Sequence, residues 1–382
     1  MEYDLRDKIY TACYEAVEAF LCKLCPLVPC SSRYIWLESE IDFAENSRAL
    51  YEYMISHEKY KNKRIIWCVD NPDQYKPHKN VSFIKRNMES FPFLFYKNRC
   101  KYFIFTHPYW LRKWKKSQIV INAGHGNPFK QPPRPTARLA DYWLASSETW
   151  ETFRRKETVD GVKIPLLGAP RLDWLYQKVN YLSKMDGGRH YSKTIYCMPT
   201  FKKTETWKDS DEKNPYSINV VATRQELLYL NEEMKKRDIL LVCIIHHLQT
   251  MEDVTLTQLS NILYLRDVDY GKKGLVMNQV LTSADALCTD YSGVFLDYIL
   301  LDRPIGFFCN TRDQYTRGFT MENPDDYMPG PRILGMEDFL AFADSLLSGR
   351  DDYRDERKRV KNIVHKYQDD QNCRRFLEYF QI

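Results

Sequence analysis

Short apolar runs rich in β-branched and aromatic residues recur along the chain, separated by stretches with helical spacing. In the first half, "RYIWLE", "RIIWCVD", "VSFIK", "KYFIFTH" and "QIVINAG" predict strands, with "FPFLFYKN" between two of them. "NSRALYEYMISH" predicts a helix whose start is marked by Asn46 and Ser47. "YWLASSETWETFRRK" predicts a strand and then a helix entered through Ser146 and Ser147, and "KIPLLGAPRLDWLY" closes this half. A polar stretch containing Gly187 and Gly188 reads as a linker. The pattern then restarts: "TIYCMP", "ILLVCIIH", "NILYL", "ALCTD" and "PIGFFC" as strands, "TRQELLYLNEEMKKR", "GLVMNQVLTSA" and "SGVFLDYILL" as helices. Continuous apolar runs, rather than alternating ones, predict parallel sheets covered on both faces.

The expected fold class is therefore α/β: two doubly wound, Rossmann-like units with a cleft between them. A length of 382 residues agrees with two cores rather than one. The expected division is 1–182, 190–350, and a charged tail at 351–382 whose helix crosses back. In open sheets of this kind, ligands bind beyond the carboxyl ends of the strands. No internal repeat is visible, which excludes a solenoid.

Composition narrows the class. An apolar fraction of 44% with 28% charged residues is that of a soluble globular chain. A net charge of +5 suits a phosphorylated substrate or an anionic membrane face better than nucleic acid, so no nucleic-acid partner is expected. The odd number of scattered cysteines, 11, predicts reduced thiols and a cytoplasmic setting. Cys13, Cys22, Cys25 and Cys30 include one C-x-x-C, but their irregular spacing favours buried thiols over zinc, and no metal site is expected. The start of the chain lacks a secretory pattern, and no run is long enough to span a bilayer. Residues 1–30 form an amphipathic segment with Ile9, Val17, Phe20, Leu21 and Leu24 on one face. It either lies flat on a membrane or packs on the core.

Four strand ends carry candidate chemistry. His125 stands between Gly124 and Gly126, with Pro128 and Lys130 beyond; the glycines allow close approach to a ligand, and an imidazole suits proton removal from a hydroxyl. His246 and His247 follow another strand, where neighbouring side chains diverge, so at most one faces the cleft. Thr200 and Lys202 follow a third strand. Thr289, Asp290, Tyr291, Ser292 and Gly293 link a strand to an apolar helix whose N-terminus would favour a phosphate. Walker, dinucleotide-fingerprint and nucleophile-elbow motifs are absent from the sequence, which disfavours P-loop enzymes, nicotinamide dehydrogenases and hydrolases.

Taken in order, these motifs resemble the CDP-glycerol glycerophosphotransferases of teichoic acid and capsule synthesis. "HGNPFK" resembles the family's H-G-T-P-x-K element, "LLGAPRLDWL" its G-x-P-R-x-D segment, "MPTFK" its A-P-T-[WF]-[RK] loop, and "IIHH" its second histidine strand. "ADALCTDYSGVFLDYILLDRPIGFF" resembles its [ST]-D-Y-S-S-x-x-x-D block, and "RGF" and "PGP" fit further on. The resemblance implies a GT-B-type fold, with CDP-glycerol as co-substrate, no other cofactor, and CMP as leaving group. It implies that His125 and His246 are functional histidines. The donor side would comprise Thr200, Lys202, Thr289, Asp290, Tyr291, Ser292, Gly293, Asp297 and Arg317. Gly124, Gly126, Lys130, Arg171 and Asp173 would lie on the acceptor side. The implied partners are a CDP-activated polyol, a polyprenyl-linked or glycan acceptor, and the inner face of the bacterial membrane. The chain departs from the family pattern at Gly124 (usually aromatic), Asn127 (Thr), His247 (Pro) and Gly293 (Ser). A nucleotide-sugar glycosyltransferase, a CDP-ribitol-dependent enzyme and a non-catalytic scaffold are the alternative readings.

Overall fold

The computed structural model describes residues 28–76, 78–87, 90–106, 113–131, 140–177, 182, 188–200, 216–245, 259–309 and 318–382. The first sheet contains β1 (Ser31–Leu37), β2 (Arg64–Val69), β3 (Val81–Lys85), β4 (Cys100–Phe105), β5 (Ile119–Asn122) and β6 (Tyr142–Trp143) in the order β3-β2-β1-β4-β5-β6. The second contains β7 (Lys193–Cys197), β8 (Ile239–Ile245), β9 (Ile262–Arg266), β10 (Ala286–Thr289), β11 (Ile305–Phe308) and β12 (Arg332–Ile333) in the order β12-β11-β10-β7-β8-β9. Every pairing between these strands is parallel. Both sheets thus have one topology, with the switch between β1 and β4 in the first and between β7 and β10 in the second. In open sheets of this topology ligands bind beyond the strands at such a switch.

The continuous apolar runs have the expected cause, since both faces of each sheet are buried. On β1, Ile35 and Leu37 join one apolar cluster while Trp36 packs on the other face. Its ring lies edge-on to Phe93 at 5.1 Å. On β10, Leu287 and its neighbours Ala286 and Cys288 divide between two clusters in the same way.

The helices follow the polar punctuation with some differences. Helix α1 (Glu45–Ser56) starts one residue before the expected Asn46, from Ala44, with no side-chain cap. Helix α2 (Phe91–Arg99) is capped by Ser90. Helix α3 (Glu148–Glu157) is capped by Ser147, which accepts from the Trp150 amide. Helix α4 (Arg224–Lys236) begins with a capping box between Thr223 and Glu226. The expected helix over "GLVMNQVLTSA" is α-helical only at Met277–Leu281, here α6, which follows the short α5 (Asp267–Gly271). The helix expected over "SGVFLDYILL" is one α-helical stretch, α7 (Val294–Tyr298), continued as a 3-10 turn at Ile299–Leu301 and stopped by Asp302 in the left-handed region.

Helix α8 (Met336–Ser348) covers the second sheet, where Phe339, Phe342 and Ala343 are buried. Helix α9 (Arg354–Val364) adds Val360 and Val364 to the cluster around α7. The last helix, α10 (Asn372–Tyr379), buries Cys373, Phe376 and Leu377 among residues of the first sheet. The terminal segment therefore straps one unit to the other. Among the described residues no helix is long and apolar enough to cross a membrane. The amphipathic stretch over residues 1–27 lies outside the described residues.

Candidate active site

The turn after β5 places His125 at the carboxyl end of the first sheet. Gly124 is in the left-handed region, at φ +68°, and a Cβ there would lie 3.3 Å from the Arg154 Nη2 atom. Both the conformation and the crowding call for glycine. Gly126 lies against Arg171, whose Nη2 would be 3.4 Å from a Cβ, and its carbonyl accepts from Arg154. Two guanidinium groups thus back the histidine turn.

The His125 side chain is exposed, with Glu40, Arg154 and Arg171 among the charged groups that act on it. Desolvation lowers its pKa below the usual 6.5, with Glu40 opposing and Arg171 and Arg154 adding to the effect. The Thr106 backbone at the end of β4 also opposes the lowering. An imidazole that is neutral at physiological pH has a ring nitrogen available as a proton acceptor.

Across the cleft, the turn after β10 is organised from inside. Asp290 Oδ1 accepts from the Thr200 amide at 2.8 Å, the Thr200 hydroxyl at 2.7 Å and the Ser292 amide at 3.1 Å. Asp290, itself buried, therefore ties the loop after β7 to the loop after β10 at the second switch point. Thr289 is also buried and donates to the Met198 carbonyl. Tyr291 packs edge-on to Phe319 with centroids 5.1 Å apart. The side chains of Thr289 and Asp290 thus make internal hydrogen bonds, and the Tyr291 ring packs internally. Ser292 and Gly293 remain partly open.

Two further carboxylates also make internal contacts. Asp297 is buried, and its Oδ2 accepts from Arg171 Nε at 2.9 Å, Arg171 Nη2 at 2.7 Å and Asn278 at 3.2 Å. It is an ion-pair partner of Arg171 across the two units. Asp173 accepts from the Asn372 amide and side chain and from the Cys373 amide, each at 2.8 Å. It thereby caps α10, and burial raises its pKa. Lys202, His246 and Arg317 lie outside the described residues.

The histidine loop and the donor turn meet directly. Phe129 is buried against Phe295 and Phe319, with centroids at 5.0 and 5.6 Å. Lys130 pairs with Phe319 in a β-bridge, and its ammonium donates to the Thr200 hydroxyl. A Cβ on Gly293 would stand 2.9 Å from the Asn127 carbonyl oxygen, so two of the departures from the family pattern face each other. The Asn127 side chain accepts from Ser146 at 2.9 Å. Sequence reading missed Arg154 and Asn278, which belong to no motif, and read Asn46 only as the start of a helix.

Among the described residues, no group of three or more His, Cys, Asp or Glu side chains could hold a metal ion. The C-x-x-C cysteines lie outside the described residues.

Comparison with known proteins agrees with this architecture. The structure named for the wall teichoic acid polymerase TagF superposes with a TM-score of 0.73 at 21% identity, covering 92% of this chain and 89% of that one. The teichoic acid poly(glycerol phosphate) polymerase of Bacillus spizizenii is 24% identical over 97% of this chain and 93% of its own length. The polymerase of the same name from Staphylococcus epidermidis is 27% identical over 76% of this chain, but only 42% of that protein is spanned. Residues 21–380 match a single family along nearly the whole chain, and the chain belongs to it: the CDP-glycerol:poly(glycerophosphate) glycerophosphotransferases.

Proposed function

We propose that the chain transfers glycerol phosphate from CDP-glycerol to a hydroxyl of a teichoic-acid-like or capsular acceptor, releasing CMP. The acceptor oxygen attacks the β-phosphorus and a new P–O bond forms. The bond from that phosphorus to the bridging oxygen breaks, CMP leaves with the electron pair, and His125 takes the acceptor's proton. Positioning and electrostatics supply most of the rate in phosphoryl transfer.

The observation that carries this reading is the contact between the two motif loops. The loop bearing His125 rests on the Ser292–Gly293 turn through the Asn127 carbonyl, and on Thr200 through Lys130. Base and donor site thereby share one cleft. The free amides at the start of α7 and the Ser292 hydroxyl would hold the pyrophosphate; with so short a helix, local N–H groups matter more than a macrodipole. Lys202, His246 and Arg317 are assigned to the same anion by their motif positions. A TagF variant soaked with CDPG has the same fold, with a TM-score of 0.72 at 20% identity. CDP-glycerol is the only co-substrate this reading requires. The acceptor, polyprenyl-linked or glycan, would be met at the cytoplasmic face of the membrane, with residues 1–30 as the surface-seeking segment.

The test is a panel of CDP-glycerol, CDP-ribitol and UDP-sugars with membrane extract as acceptor, scored for the nucleotide released. CMP from CDP-glycerol, reduced ~10²–10⁴-fold by His125→Ala, is the expected result. Turnover of a UDP-sugar alone, or a His125→Ala rate equal to wild type, would overturn the assignment.

A further inference from the structure

Asn46 breaks local rules without local gain. It sits in the first turn of α1, completely buried, behind an Ala44 cap that offers no side-chain oxygen. Its neighbour Glu45 is held at φ +55°, a strained conformation for a residue with a Cβ. An asparagine at a helix start usually faces outward as a cap. Here the side chain is used elsewhere. Its amide donates to the Ala123 carbonyl at 2.9 Å and to the Gly124 carbonyl at 2.6 Å, the two residues immediately before His125. Its oxygen accepts from the Arg171 amide at 2.9 Å. Arg171 in turn reaches Asp297 on α7 through Nε and Nη2. Both amide hydrogens and the carbonyl oxygen are engaged, so the side chain has one available orientation.

We infer that Asn46 is a positioning residue: through Ala123 and Gly124 it sets where His125 stands, and through Arg171 and Asp297 it registers that turn to the donor helix. This rests on the reading of His125 as the acceptor's base. A plain helix-start role would need only the oxygen. The positioning role needs the two N–H groups, and this difference makes it testable. Asn46→Asp keeps an acceptor for Arg171 but replaces the one nitrogen that donates both bonds with an oxygen facing the Ala123 and Gly124 carbonyls; Asn46→Ala removes all three bonds.

The experiment measures turnover at saturating CDP-glycerol, calorimetric affinity for CDP-glycerol, and the titration of the His125 ring by NMR, on the full chain. Both variants should lose about 10–100-fold in turnover while donor affinity stays within about threefold, since misplacing a reacting group costs rate rather than binding. The His125 midpoint should rise toward the ordinary imidazole value in Asn46→Ala as water enters the loosened turn. Wild-type turnover in either variant, rescue by Asp alone, or parallel loss of turnover and affinity would each overturn the inference. Should Asn46→Asp fail to fold, Asn46→Ser replaces it, and an unchanged rate overturns the proposal in the same way. Full activity in His125→Ala would instead sink the functional reading, and the NMR midpoint would then still decide whether Asn46 sets the turn.

Discussion

Replacing Arg171 by methionine removes the cation of the pair that joins the two units but keeps much of its apolar stem. Asp297, 2% exposed, would lose its donors at 2.9 and 2.7 Å and retain the Asn278 amide at 3.2 Å. Stranding a buried carboxylate costs about 3–5 kcal/mol. For units of this size each kcal/mol moves the midpoint by about 2–4 °C, so the expected fall is about 6–20 °C. The pair itself need not be strongly stabilising, because its desolvation offsets much of the attraction, and Arg171 Nη1 is buried without a partner. The double variant Arg171→Met/Asp297→Leu should therefore recover most of the loss, though the Asn278 amide is then left without this acceptor. Thermal melts followed by circular dichroism, at low and at high salt, measure both changes. Salt should alter them little, since the pair is shielded from solvent. A single variant melting within about 2 °C of wild type, well short of the loss expected for a broken buried pair, would refute the reasoning, as would a double variant no better than the single.

Three other outcomes follow from the same geometry. Gly293→Ala places a Cβ 2.9 Å from the Asn127 carbonyl oxygen, and since backbone must give way it should cost about 1–3 kcal/mol and slow CMP release, read by melts and initial rates. The acid limb of kcat/KM should inflect below pH 6.5, because the neutral His125 ring is the active form and its pKa is lowered; Glu40→Gln should move the limb lower still, by removing the charge that favours protonation. Burial pushes Glu157 up to about 7 from 4.5, so its contribution to stability is full below about pH 4.5 and lost as pH rises through 7. Glu157→Gln should accordingly be more stable than wild type by roughly 3 kcal/mol at pH 8, with the advantage gone near pH 4.5, as chemical unfolding across pH would show.

The strands were readable because a sheet buried on both faces leaves unbroken apolar runs, as in "RIIWCVD" and "ILLVCII". The cap at Ser147 was readable because capping is local. The inward roles of Asp290 and Asp297 were not. Asp290 is engaged with Thr200, 90 positions away, and Asp297 with Arg171, 126 positions away. A motif shows that such residues stand together in sequence, but whether a carboxylate faces a ligand or a buried partner depends on packing. Asn46 was legible only as a polar residue at a helix start. Its bonds to Ala123 and Gly124 span 77 and 78 positions, which no local pattern encodes. The serine missing at Gly293 has a steric reason in the Asn127 carbonyl, visible only once the two loops meet.

The most direct measurement follows the β-phosphate. CDP-glycerol labelled at that phosphorus is incubated with the purified chain and a lipid-linked or glycan acceptor, and the products are separated. Label retained on the acceptor, with unlabelled CMP released in equal amount and both lost in His125→Ala, is the predicted result. Label leaving with the nucleotide as CDP would contradict phosphoryl transfer at that atom and favour a glycosyltransferase-like reaction in the same cleft.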